Sequence, residues 1–116
     1  MKTEGLDARF TVCQVENGRE IDWSDTWCFV SRTDEEISLL CRTEKTPRET
    51  LKREDGWRGF RVCGTLDFSL VGIMARISGA LAEAGIPLFA ISTYNTDYIF
   101  VKEEQFEQAM ERVEAL

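Results

Sequence analysis

Between Asp67 and Glu104 this chain sets two polar features at the ends of adjoining elements, where small-molecule sites keep their polar groups: a backbone turn, Ser69 to Gly72, and one acid, Asp97. Gly72 would let a ligand approach the backbone closely, and free N–H groups at the start of a helix attract a carboxylate without any basic side chain. Asp97 could then accept a charge-assisted bond from an ammonium or guanidinium group. Together they would recognise a zwitterion. Each residue also has a plainer role: Ser69 as a helix cap, Gly72 as an aid to helix–strand packing, and Asp97 as a shaper of the Asn95-Thr96-Asp97 turn. Capping is the better reading of Ser69, and neither reading of Gly72 prevails.

Other chemistry is narrowed by composition. Histidine is absent from all 116 residues, which removes the commonest general base, the commonest metal ligand and every nucleophile–histidine pair. The four cysteines, Cys13, Cys28, Cys41 and Cys63, lack the CxxC spacing of a zinc or redox site and read as small buried hydrophobes in a reducing compartment. Asp97, Asp67 and Lys102 form no recognisable nucleophile–base pair with them, so an enzyme is the least favoured reading and no catalytic residue, metal or cofactor is expected. With 21 acidic against 14 basic side chains, a net charge of -7, the chain repels phosphate backbones, which excludes nucleic acid as a partner. No apolar run reaches the roughly 20 residues of a membrane helix, and Met1 to Ala8 is not signal-like. A cytoplasmic protein with no membrane partner is the expectation.

The elements that must position these groups are read from periodicity. Ala8 to Val15 and Trp27 to Arg32 are strands, and Ile37 to Cys41 is another, following a Thr33-x-x-Glu36 capping pattern with room for at most one helical turn. Arg42 to Arg58 is charged and aperiodic, with Pro47 and Gly56, and reads as a link between halves. Phe60 to Leu66 is the next strand. Ile73, Ile77, Ala80, Leu81 and Ala84 then mark a helix that stops at Gly85 before Pro87. Leu88 to Thr93 and Tyr98 to Val101 form a hairpin, and Phe106, Ala109, Met110 and Val113 mark a last amphipathic helix. Trp23 is the large apolar anchor of the polar stretch 16–26. Trp23, Trp27 and Trp57 read as core or dimer contacts, and Phe89 and Tyr98 as core, although Phe68 and Tyr94 could floor a pocket.

An internal comparison sharpens this. Val30-Ser31 to Leu40 lies over Ile91-Ser92 to Val101 without gaps, which sets Glu36 against Asp97 and favours a ligand role for Asp97. The crossover Glu16 to Thr26 leaves room only for a short helix. Two tandem β-α-β-β units follow, the first abbreviated: 8–56 and 57–116, packed as one compact domain, with edges that invite a second copy of the chain.

The run FSLVGIMARISGALAEAGIPLFAISTYNTDYIFV, with FVSRTDEEISLL upstream, resembles the ACT-domain family, most closely its small tandem members related to the CASTOR arginine sensors and to aspartate kinase regulatory domains. The resemblance covers the chain from Phe10 onward. It implies an α+β, ferredoxin-like ACT fold, paired units, and small ligands, usually amino acids, held where units meet. The family's ligand-facing loop matches Asp67, Phe68, Ser69, Gly72 and Ile73, and its strand-end acid matches Asp97 beside Ser92 and Thr93. Leu70 stands where the arginine sensors tend to carry an acid, so a side chain that would help to hold a guanidinium is missing. The sensors carry four units, and a homodimer would restore that number here.

The expected function is therefore a non-catalytic, amino-acid-binding regulatory module. Its output would appear as a changed assembly or a changed surface for a regulated protein partner. The alternative is a structural or protein-interaction ACT module that holds no ligand.

Overall fold

The computed structural model describes residues 1–63 and 72–116. The end of the expected strand Phe60 to Leu66 and the site residues Asp67, Phe68 and Ser69 lie outside the described residues. Its strands are β1 (Thr3–Gly5), β2 (Phe10–Val15), β3 (Cys28–Arg32), β4 (Ile37–Arg42), β5 (Lys52–Val62), β6 (Phe89–Ser92) and β7 (Asp97–Lys102), and its α-helices are α1 (Ile73–Glu83) and α2 (Phe106–Glu114). Contacts divide the chain into two units, Ala8–Trp57 and Met1–Asp7 with Arg58–Leu116.

In the first unit the spatial order is β3-β4-β2 followed by the Lys52–Trp57 part of β5. Antiparallel pairing sets Cys13 against Leu39 and Val15 against Ile37, so one face gathers a core of Cys13, Val15, Leu39 and Cys41 under Ile21. The alternate residues Val12 and Gln14 point to the opposite face. No helix forms between β2 and β3; turns occupy the crossover, and a single 3-10 turn at Thr43–Lys45 follows β4. Ile21, not Trp23, anchors the crossover: Trp23 is 69% exposed, while Ile21 is buried.

The second part of the charged segment read as a link, from Lys52 on, is strand. Lys52, Arg53 and Glu54 pair with Gln14, Cys13 and Val12, and the register slips where Gly56, at φ 90°, makes a bulge opposite Thr11. The Thr11 hydroxyl, fully buried, donates to Asp55 Oδ1 at 2.7 Å. Charges on an edge strand block pairing with other chains, which is why this strand looks aperiodic in sequence.

In the second unit the order is β1-β5-β7-β6, with Arg58–Val62 as its share of β5. β1 pairs antiparallel with β5 through Glu4 and Arg61, so the polar N-terminal residues supply the closing strand. Each unit thus has the edge-to-centre strand order of a β-α-β-β-α-β ferredoxin-like fold. Ile77 and Leu81 of α1 and Phe106, Ala109 and Val113 of α2 pack on Phe60, Val62, Ile99 and Val101. The stop of α1 follows the sequence: Gly85, at φ 71°, donates to the Ala82 carbonyl at 3.0 Å and Ile86 donates to that of Leu81 at 2.9 Å, a Schellman closure that brings Ile86 and Leu81 into the core.

Candidate functional site

The hairpin β6–β7 positions the acid singled out by the sequence. Asp97 opens β7 opposite Ser92, the last residue of β6. The Ser92 hydroxyl donates to Asp97 Oδ1 at 2.5 Å, which fixes the carboxylate along the hairpin. Thr93 closes the turn below them: its N–H donates to the Thr96 carbonyl at 2.8 Å, and its hydroxyl oxygen accepts from the Thr96 N–H at 3.3 Å. Thr96 was not a sequence candidate, yet its buried hydroxyl donates to the Val62 carbonyl at 2.8 Å. That bond ties the Asp97 turn to the end of β5. The Thr-x-x-Thr spacing across the turn was the available signal.

Gly72 takes the N-cap position of α1 in the left-handed region, φ 82°, and its carbonyl accepts from Arg76 at 2.9 Å. No described atom lies within 4 Å of where its Cβ would stand, so conformation rather than helix–strand packing requires glycine here. With no side chain at the cap, the leading N–H groups of α1 receive no bond from this residue. Ile73 is half-buried and packs on the core beneath the helices. Tyr94, at the tip of the turn, is 82% exposed, Phe89 stacks on Phe100 with centroids 5.3 Å apart, and the Tyr98 hydroxyl accepts from Arg61 at 3.3 Å.

Glu36 lies in the first unit, exposed, with its carboxylate accepting from the Ser38 hydroxyl at 2.5 Å. The two hairpins correspond with an offset of one residue from the sequence comparison. Thr33 donates to the Glu36 carbonyl as Thr93 does to that of Thr96, and Ile37 opposes Arg32 as Asp97 opposes Ser92. Glu36 is therefore the last residue of its turn and Asp97 the first of its strand. Their acids are not equivalent, and the support that Glu36 gave Asp97 falls away. The Thr33 hydroxyl does accept from the N–H groups of Glu35 and Glu36, but it closes a hairpin turn and starts no helix.

Glu36 instead borders a cleft of about 470 Å³ lined by Val12–Gln14, Ser38 and Lys52–Glu54. Nucleophilic chemistry is disfavoured: burial pushes the thiols of Cys13, Cys28 and Cys41 up, Cys41 to about 11. Among the described residues no group of His, Cys, Asp and Glu could hold a metal ion, and no helix is long and apolar enough to cross a membrane.

Comparison with known proteins places this geometry. No curated protein matches the chain. Among solved structures, a protein from Agrobacterium tumefaciens is 21% identical with a TM-score of 0.84, over 97% of this chain and 86% of that one. A Vibrio cholerae protein of unknown function, a possible transport protein, is 24% identical with a TM-score of 0.78, over 96% of this chain and 85% of its own. The ligand-free regulatory subunit of aspartate kinase from Thermus thermophilus is 9% identical with a TM-score of 0.70, over 99% and 96%. At these identities the likeness is one of fold, and it matches the ferredoxin-like order of both units. The family model described as ACT domain matches residues 52–114. That span runs from β5 through α2 and carries Gly72, Ser92, Thr93 and Asp97, and with more than half of its residues matched the chain belongs to the ACT-domain family.

Proposed function

We propose that this protein is a non-catalytic regulatory module that binds a small molecule, an amino acid, where ACT units meet, and that it works as a homodimer. The observation that carries the reading is the Ser92–Asp97 bond, which holds a carboxylate in one orientation on a turn anchored to β5. Asp97 would take the ligand's ammonium group. The N–H groups at the start of α1, reached past Gly72, would take its carboxylate. Asp67, Phe68, Ser69 and Ile73 complete the ligand-facing loop in this reading, and Thr93 shapes the turn. Family membership and the fold shared with an aspartate kinase regulatory subunit support a regulatory rather than a catalytic role.

The test is a thermal-shift screen against the twenty amino acids. Free ligand a hundredfold above Kd would stabilise the fold by about 2.7 kcal/mol. Asp97→Ala is expected to abolish the shift. An unchanged melting curve across the whole set would favour the alternative, a structural or protein-interaction module. A monomeric mass by light scattering at micromolar concentration would defeat the dimer.

A further inference from the structure

We infer that Asn17 is a site of spontaneous covalent modification: the folded chain converts this asparagine, through a cyclic imide, into a mixture of aspartyl and isoaspartyl residues. The assignment is independent of any ligand. Asn17 and Gly18 stand together, exposed, in the bends that follow β2. The reaction requires the Gly18 nitrogen to attack Asn17 Cγ, and glycine presents that nitrogen with no side chain in the way. Water and hydroxide reach both residues from solvent.

Local geometry favours the attack. Asn17 Oδ1 accepts from the Arg19 N–H at 3.0 Å, an Asx turn that folds the side-chain amide forward along the chain, over the peptide with which it must react. That N–H sits where negative charge gathers on Oδ1 as the tetrahedral intermediate forms, the role of an oxyanion-hole donor. The Gly18 N–H has no acceptor among the described residues, so no hydrogen bond has to break first.

Two other dipeptides show the opposite arrangement. Asn95, the second asparagine of the chain, precedes Thr96, whose N–H donates to Thr93 Oγ1 at 3.3 Å and whose side chain is buried. Asp55 precedes Gly56, but its Oδ1 already accepts from the Thr11 hydroxyl at 2.7 Å and from Arg53 Nε at 3.0 Å. An ionised carboxylate is, besides, a far poorer electrophile than an amide. Of the three, Asn17 alone joins an open nucleophile to a polarised amide carbonyl.

The chemistry needs only water. Hydroxide removes the Gly18 amide proton, the nitrogen bonds to Cγ, and the side-chain nitrogen leaves as ammonia, taking a proton from water and returning hydroxide. Water then opens the imide at either carbonyl carbon. Opening at Cγ leaves a normal main chain with a new carboxylate, whereas opening at the main-chain carbon reroutes the chain through Cγ and adds a methylene to it. The fold registers the second product. The Gly18 carbonyl accepts from the Ile21 N–H at 3.2 Å, in the turn that seats Ile21 in the first unit's core. An extra main-chain carbon just before Gly18 displaces that carbonyl and loosens the anchor.

The experiment incubates the full chain at mildly alkaline pH, native and in guanidinium chloride, and follows it by peptide mapping of the amide-to-acid mass change and by enzymatic methylation of isoaspartyl residues. The native chain is expected to convert at position 17 as fast as the unfolded chain or faster, to yield both products, and to leave positions 55 and 95 unchanged. Asn17→Gln, which would need a larger ring, should all but stop the reaction, and Gly18→Ala should slow it about tenfold by crowding the nitrogen. A Cβ at Gly18 would stand 3.4 Å from Ile21 Cδ1, ordinary contact, so that variant keeps the fold. The isoaspartyl fraction, separated by anion exchange, should melt below the parent. A native rate clearly below the unfolded one would overturn the assignment, since the fold would then protect the pair. So would an aspartyl product alone, because direct hydrolysis does not involve Gly18, or conversion at position 55 or 95 ahead of 17. An isoaspartyl fraction that melts with the parent would overturn the link to Ile21.

Discussion

Ser92 and Asp97 are Cα partners at the mouth of the β6–β7 hairpin, and the serine hydroxyl holds the carboxylate at 2.5 Å. Because both lie on the surface, the bond contributes little to the fold and most to the aim of the acid. Ser92→Ala is expected to cost under about 1 kcal/mol in urea unfolding, yet to shrink the amino-acid-induced thermal shift to less than half. An intact shift in Ser92→Ala would mean that Asp97 needs no aiming.

Two glycines bear opposite kinds of constraint, and alanine separates them. At Gly59 a Cβ would run into the ring of Phe100, which is fully buried and stacked on Phe89. Gly59→Ala should cost about 1–3 kcal/mol through overpacking. At Gly72 there is room for a Cβ but the backbone is left-handed, so Gly72→Ala should cost about 1–2 kcal/mol from conformation. The discriminating measurement is a rescue in denaturant unfolding. Phe100→Leu should recover part of the Gly59→Ala loss and none of that at Gly72, whereas Gly72→Asn should be milder than Gly72→Ala.

What the sequence made visible was whatever had a strong local cause. Helix α1 and its end at Gly85 are written in a 3.6-residue apolar period and a glycine–proline stop, and the structure places them there. β1 and the first half of β5 escaped because both are short or charged edge segments whose strand character exists only through a partner. The hairpin comparison went astray by one residue because the Ser31/Ser92 and Glu36/Asp97 matches outweighed Thr33/Thr93. The structure follows the threonines, since they close the turns, and a slip of one residue would turn each strand's buried face outward. Asp97 was legible as a candidate, but its orientation by Ser92 and the Thr96 anchor depended on that register.

Arg42 and Asp25 form a two-pronged ion pair, at 2.9 and 2.6 Å, that fastens the crossover to β4. The guanidinium holds the Asp25 carboxyl below its ordinary value of 3.8. A depressed carboxyl stabilises the fold above the unfolded-chain value and loses that contribution as pH falls through the folded one. Arg42→Gln, which strands a carboxylate only 6% exposed, should therefore lower the urea midpoint strongly at pH 7. The gap to the parent protein should narrow below pH 3.8. A gap independent of pH would show that Arg42 acts through packing of its stem instead.

Cys41 gives the corresponding signature at high pH. Its thiol is buried between β2 and β3 among Cys13 and Cys28, with Thr46 Oγ1 3.8 Å from its sulfur, and desolvation raises its pKa from 9.0 to about 11. The folded chain thus keeps a proton that the unfolded chain gives up. Stability from this group is whole below pH 9.0 and declines as pH rises from there towards 11. Cys41→Ala will lower stability at neutral pH by opening a small cavity, so the readout is slope rather than level: the variant should lose less stability than the parent between those two values. Iodoacetamide mapping at pH 8 checks the same property in the native state. With its thiolate about a hundredfold scarcer than that of an ordinary thiol, Cys41 should be alkylated last among the four cysteines. Labelling as fast as in the unfolded chain would show that the strands around it open freely, and the alkaline slope should then vanish as well.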